Sequence, residues 1–375
     1  MSVQIENLPL YSFTAKILKF FAYLVDDHWR CYIFLFITSI FNLLEIIYVA
    51  TSDNELAQLV INLFLVVLWL STNMRAFVLI ISRKEMNLFL REIHKMYSDI
   101  MKYGDSNTKA MLLECTKSAR RFSHFNLLLG FFTCVGMFAS SGMGTRRDLI
   151  YDMYLPFYND KKLETPCFEI LFATQFVLIP VGCCMFVPFL SLIISLVMFN
   201  IFLCKVLQSE FRSLKEGIPR EMVCEKISKC INFHNKIISF VASINNLTTF
   251  VFAIEYVFFG ALMCVLLFLL VIVKTLSEQL IMSAYISMIF VQLSVTYFFA
   301  NNLFFESLSV ADAAYDTTWY EYNGKTRLML MLIIQRAQKP ICLTMGNFHP
   351  MTLEVLTTLL NFSYSYFTIL RNMME

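Results

Sequence analysis

Charge is scarce in this chain of 375 residues: Asp, Glu, Lys and Arg make up 15% of it, against 58% hydrophobic residues, and the formal net charge is +2. That balance lies far outside the usual range for soluble globular domains. No long run of one sign occurs, so composition calls for neither nucleic acid nor an acidic substrate as a partner. A disulfide framework is missing too. Most of the eleven cysteines fall inside apolar stretches (Cys31, Cys134, Cys183, Cys184, Cys264) or in basic loops (Cys115, Cys224, Cys230), without paired spacing. Cys224, Cys230 and His234 come nearest to a metal pattern, but a fourth ligand is lacking, so neither a metal nor another cofactor is expected. A His-Glu-x-x-His pair, a nucleophile elbow and paired carboxylates are all absent, which leaves no constellation for an enzyme. Asn323-Gly324-Lys325-Thr326 resembles the end of a phosphate loop, yet Trp319 stands where that loop needs glycine, so the stretch reads as an Asn-Gly turn. Residues 1–30 hold Pro9, Asp26, Asp27 and three basic residues in place of an apolar core, so a cleavable signal peptide is not expected.

What the chain has in abundance is long apolar runs, and these mark an integral membrane protein. Roughly 20 apolar residues cross the hydrocarbon layer as a helix. Seven stretches meet or approach that length: about 31–51, 59–82, 123–142, 168–204, 249–273, 280–300 and 350–371. The fourth is too long for one crossing, so its C-terminal part, toward Phe202, is expected to run on beyond the membrane. Basic residues near span ends stay in the cytoplasm. With the N-terminus inside, the inside segments hold twenty-three Lys and Arg and the outside segments six: Arg146, Arg147, Lys161, Lys162, Lys274 and Arg371. The expected fold is therefore all-α and polytopic, with seven transmembrane helices, a cytoplasmic N-terminus and an extracellular C-terminus. That orientation reverses a G-protein-coupled receptor. The chain also lacks Asp-Arg-Tyr after span three, Asn-Pro-x-x-Tyr in span seven and a tail behind Arg371.

The last span is apolar but not uniformly so. Glu354, Thr358, Asn361, Ser365, Ile369 and Asn372 follow one another at steps of three or four and share a face. Leu353, Leu356, Leu360, Tyr364, Phe367 and Leu370 occupy the opposite side. The stripe fits hydrogen-bonding glue between neighbouring helices. It fits equally a wet pathway lined by several copies of the helix, with Ile369 as a hydrophobic constriction.

The C-terminal segments AYDTTWYEY, IIQRAQKP and GNFHPMTLEVLTTLLNFSYSYFTILRN, between Ala314 and Asn372, resemble the signature of the insect odorant receptors. The resemblance implies an odorant-gated, non-selective cation channel, assembled as a heterotetramer with a co-receptor in the plasma membrane of a sensory neuron dendrite. It implies a six-span ligand-binding bundle over 1–300 with cytoplasmic helix extensions, an anchor over 301–349 and a pore-lining helix over 350–375. By resemblance the hydrophobic gate is Ile369 and the polar position beyond it Asn372. Arg371 departs from the apolar residue expected in the co-receptor, which points to an odorant-tuning subunit. A gustatory receptor of the same architecture would carry a different ending from SYSYFTILR.

In that family the odorant sits in the outer half of the membrane. Aligning the spans points to Leu65, Leu68, Trp69 and Thr72 of span two, and Gly130, Thr133, Met137 and Phe138 of span three. Phe176 and Ile179 follow from span four, and Ile281, Tyr285 and Met288 from span six. These halves carry no ionisable side chain of Asp, Glu, Lys, Arg or His, so the ligand implied is a small neutral volatile, of aromatic class, with one polar contact from Thr133, Ser141, Gln175 or Tyr285. Other partners are membrane lipids and permeating cations, which Glu354 at the cytoplasmic mouth would attract. Charges inside spans need partners. Glu45 and Glu255 are placed for structural pairing, whereas Arg75 is close enough to a span end to reach the surface.

Overall fold

The computed structural model describes residues 8–24, 29–51, 56–142, 149–155, 165–215, 220–273 and 275–372. Ten α-helices carry nearly all of them: α1 (Ser12–Phe20), α2 (Arg30–Thr51), α3 (Leu56–Ile81), α4 (Arg83–Tyr103), α5 (Ser106–Gly142), α6 (Cys167–Arg212), α7 (Arg220–Ile272), α8 (Leu276–Tyr315), α9 (Gly324–Ala337) and α10 (Leu353–Asn372). A two-stranded antiparallel hairpin, β1 (Thr344–Met345) and β2 (His349–Pro350), precedes the last helix. Each expected span is helical over its described residues except at the ends, where Ser82, Val273 and residues 350–352 lie outside the helices.

The basic connections do not form loops. Residues 106–122 are the first half of α5, and 220–248 the first half of α7, so both helices run far past any apolar stretch. At ~1.5 Å per residue, the 53 residues of α7 extend ~80 Å, against a hydrocarbon layer of ~30 Å. Among the described residues, α2, Gln58–Ile81 of α3, α6, Met222–Ile272 of α7 and Gln279–Tyr315 of α8 are long and apolar enough to cross a membrane.

α6 is the central helix, packing against α1, α3, α5, α7 and α8. It is apolar around its whole circumference, and Met185–Val197 is buried without a break. Apolar on every side, it suits either lipid or an interior, and its burial places it in the interior. α7 is the second hub, touching α3, α6, α8, α9 and α10.

The stretch 301–349 is regular over much of its length. α8 continues through Tyr315 before the chain turns, and Asn323 does not form an Asn-Gly turn but caps α9, its side chain accepting a hydrogen bond from the Thr326 amide at 2.8 Å. A turn follows at Gly346 and Asn347, both at positive φ, conformations that glycine and asparagine tolerate best. α7 fixes this hairpin in place. The Gly346 amide donates to Thr249 O (3.1 Å) and the Thr344 amide to Asn245 Oδ1 (2.8 Å).

Cys224, Cys230 and His234 do not form a metal site; among the described residues no cluster of three or more His, Cys, Asp or Glu forms. His234 is 2% exposed on α7. Burial, aided by Arg336 of α9, pushes its imidazole down to about 4.

Candidate functional site

Between α3, α5, α6 and α8 lies an apolar cavity of about 90 Å³. Nine of the thirteen residues picked from the sequence line it: Leu65, Leu68, Trp69, Thr72, Gly130, Thr133, Met137, Ile179 and Met288. α3 supplies the first four from successive turns of one face, and α5 contributes three in the same way. The close fit of Trp69 depends on a missing side chain across from it. A Cβ on Gly182 would stand 2.6 Å from the indole ring, so only glycine lets α6 lie flat against it.

The other four picks have different positions. Tyr285 stacks its ring on Phe64 at 4.0 Å between centroids, so that face is taken. Phe138 and Phe176 pair with each other at 4.7 Å, and Ile281 lies farther along α8. Of the proposed polar contacts, Gln175 is committed elsewhere: it receives the Ile150 amide (3.0 Å) and donates to Tyr151 O (2.7 Å). Ser141's side chain is outside the described ones.

Sequence reasoning missed five wall residues: Cys134, Gly182, Cys183, Phe186 and Val187. All but Cys134 lie on α6, a turn or more beyond Ile179. No periodic signal could separate them, since α6 is apolar on every side. Polarity in the wall comes from two hydroxyls, two thiols and the indole N–H of Trp69. Thr72 Oγ1 donates to Leu68 O (2.8 Å) and Thr133 Oγ1 to Leu129 O (2.9 Å). Each hydroxyl proton is thus used within its own helix, and what remains toward a ligand is an oxygen lone pair that accepts.

Arg75 does not reach the surface. It is 1% exposed, with Nη2 2.7 Å from Glu255 Oε1 on α7. Glu255 is therefore paired as expected, while both Glu45 carboxyl oxygens are buried without a hydrogen-bond partner.

In α10, every residue of the polar stripe (Glu354, Thr358, Asn361, Ser365, Ile369, Asn372) is exposed, pointing away from its own bundle. The face packed on the bundle is Leu356, Leu359 and Ser363; Leu353 and Tyr364, assigned to that side from sequence, are exposed instead. Among the described residues no side chain of the stripe bonds another helix of this chain. Thr358 and Ser365 donate to their own backbone at Glu354 O (3.0 Å) and Asn361 O (2.8 Å), and the hydroxyl that bridges helices is Ser363, to Gly260 O of α7 (3.2 Å).

The family described as 7tm Odorant receptor matches residues 55–364. The chain is 35% identical to Odorant receptor 30a of Drosophila melanogaster, over 97% of each protein. It is 33% identical to Odorant receptor 10 of Aedes albopictus, over 98% of each. Among solved structures it is similar to the insect olfactory receptor OR5 from Machilis hrabei in complex with eugenol, with a TM-score of 0.73 and 17% identity over 92% of this chain and 88% of that one. The fold is thus a shared one.

Proposed function

The chain belongs to the insect odorant receptor family, and from that premise we propose that it is the odorant-tuning subunit of an odorant-gated, non-selective cation channel. It is a membrane receptor and not an enzyme. A small neutral odorant of aromatic class occupies the cavity around Trp69. The observation that carries this reading is the wall itself: aromatic and aliphatic surface, no charged side chain, and two threonine oxygens free to accept. Burying a charged ligand there would be costly. The empty space is smaller than an engineered cavity of ~150 Å³ that holds benzene, so even a monocyclic ligand must push the walls apart, and a donor on it would bond Thr72 or Thr133. The complex of a structurally similar receptor with eugenol, a small phenol, supports a ligand of this kind.

In this reading seven spans cross the plasma membrane of a sensory dendrite, with the N-terminus inside and the C-terminus outside. A heterotetramer with the co-receptor arranges four last helices around a pore. Residues 1–300 hold the ligand, 301–349 the anchor and 350–375 the pore helix. Ile369 is the constriction, and Asn372, Ser365, Asn361, Thr358 and Glu354 line the wet face. Ligand binding opens the pore because the cavity fits the open arrangement better than the closed one.

Current recording from cells expressing the chain with and without the co-receptor, under G-protein blockade, tests the reading. Odorant currents that require the co-receptor and survive blockade are expected. Currents abolished by blockade would sink it.

A further inference from the structure

A cation buried directly beneath a ligand cavity is poorly explained by stability, because a buried ion pair gains little over well-packed apolar residues of similar volume. Arg75 of α3 nevertheless holds three groups at once. Its Nε and Nη2 both lie 2.7 Å from Glu255 Oε1 of α7, and its Nη1 donates to the Phe186 carbonyl of α6 at 2.9 Å. The guanidinium carbon rests 3.8 Å from the centroid of the Phe186 ring. Ser71, one turn earlier, donates to the same carboxylate.

The groups it joins belong to different working parts. Phe186 lines the cavity and lies between Pro180 and Pro188. Those prolines lack the amides that would pair with the carbonyls of Phe176 and Cys184, so this is the stretch where α6 bends most readily. Glu255 stands five residues, about 7.5 Å, before Gly260 on α7. There α7 and α10 are in close contact: a Cβ on Gly260 would be 2.6 Å from Leu359 Cδ1, and Ser363 donates to Gly260 O.

Resting on the channel reading above, we infer that Arg75 and Glu255 form the coupling pair that carries cavity occupancy to the last helix. An odorant that displaces the Phe186 ring or flexes the Pro180–Pro188 stretch moves the guanidinium with it. Glu255 follows, and the Gly260–Leu359 contact converts the shift of α7 into a shift of α10. Arginine is required because its planar fork meets a carbonyl, a ring face and a carboxylate together, which a lysine ammonium cannot do. α7 is the shared element that both sites bias, the physical requirement for coupling.

The experiment separates binding from opening. Wild-type, Glu255→Gln and Arg75→Lys chains are expressed with the co-receptor at matched surface levels, and currents are evoked by the most effective of a panel of neutral monocyclic phenols. Binding of that phenol to each purified chain is read from Trp69 fluorescence in a Trp29→Phe, Trp319→Phe background. The expected result is a tenfold or greater fall in maximal current with a dissociation constant changed less than threefold. Unchanged maximal current, or current and binding lost together, overturns the inference. If neither variant reaches the surface, Ser71→Ala decides, because it removes one hydrogen bond and leaves the ion pair. A maximal current lowered about threefold with unaltered binding supports coupling, and an unaltered current overturns it. A wild-type chain that binds the phenol but passes no current overturns the channel reading itself, and the coupling pair with it.

Discussion

α6 and α10 are both membrane-type helices, yet they meet their surroundings in opposite ways. α6 buries Met185–Val197 on all sides within its own chain, and Phe189, Leu192, Ile193 and Ile194 are each wholly inaccessible. α10 buries one narrow face and exposes Phe362, Tyr364, Tyr366 and Ile369 by more than half, together with the polar stripe. The first helix is finished by its own fold. The second leaves its polar stripe and aromatic flanks uncovered by its own chain.

Breaking the comparison at α6 should have the largest effect. Phe189→Ala empties a ring-sized space at the centre of the bundle and should cost about 3–5 kcal/mol, seen as a lowered melting temperature in detergent and a loss of surface expression. The next effect comes from pH at the other hub. His234 has a native pKa near 4 against an ordinary 6.5, so between those values the unfolded chain binds a proton that the native one does not. Stability is therefore complete above pH 6.5 and falls as pH drops toward 4, by about 3 kcal/mol in all. Melting temperatures at pH 7.5 and 5 should show this fall, and His234→Leu should flatten it. The smallest effect on stability sharpens the contrast. Ile369→Ala, at an exposed site, should change the melting temperature of the chain hardly at all, by less than about 0.5 kcal/mol, while raising unliganded current in cells with the co-receptor. A large loss of stability with unchanged basal current would place Ile369 in packing and not at a gate.

Much of the cavity wall was legible because the resemblance aligns the spans and so points to α3 and α5, whose picked residues then fall on one face of each helix. The α6 contribution was not, since Gly182, Cys183, Phe186 and Val187 sit in a helix without a polar side to mark its orientation. Tyr285 shows the converse limit: an aromatic at the right height is spent on Phe64, and only the packing of α8 against α3 reveals it. The stripe on α10 was readable for the same reason that α6 was opaque, because polar residues interrupt it at intervals of three and four.

By itself the sequence determined that the chain is helical, that it belongs in a membrane and which faces of its less uniform helices differ, all consequences of local composition and of the 3.6-residue period. It did not determine where Arg75 goes, how far α5, α7 and α8 extend or which residues of α6 meet the cavity. Those were decided in three dimensions. A buried guanidinium must find a carboxylate, a carbonyl and a ring face together, and Glu255 and Phe186 lie 180 and 111 positions away in the chain, brought beside it only when α3, α6 and α7 pack.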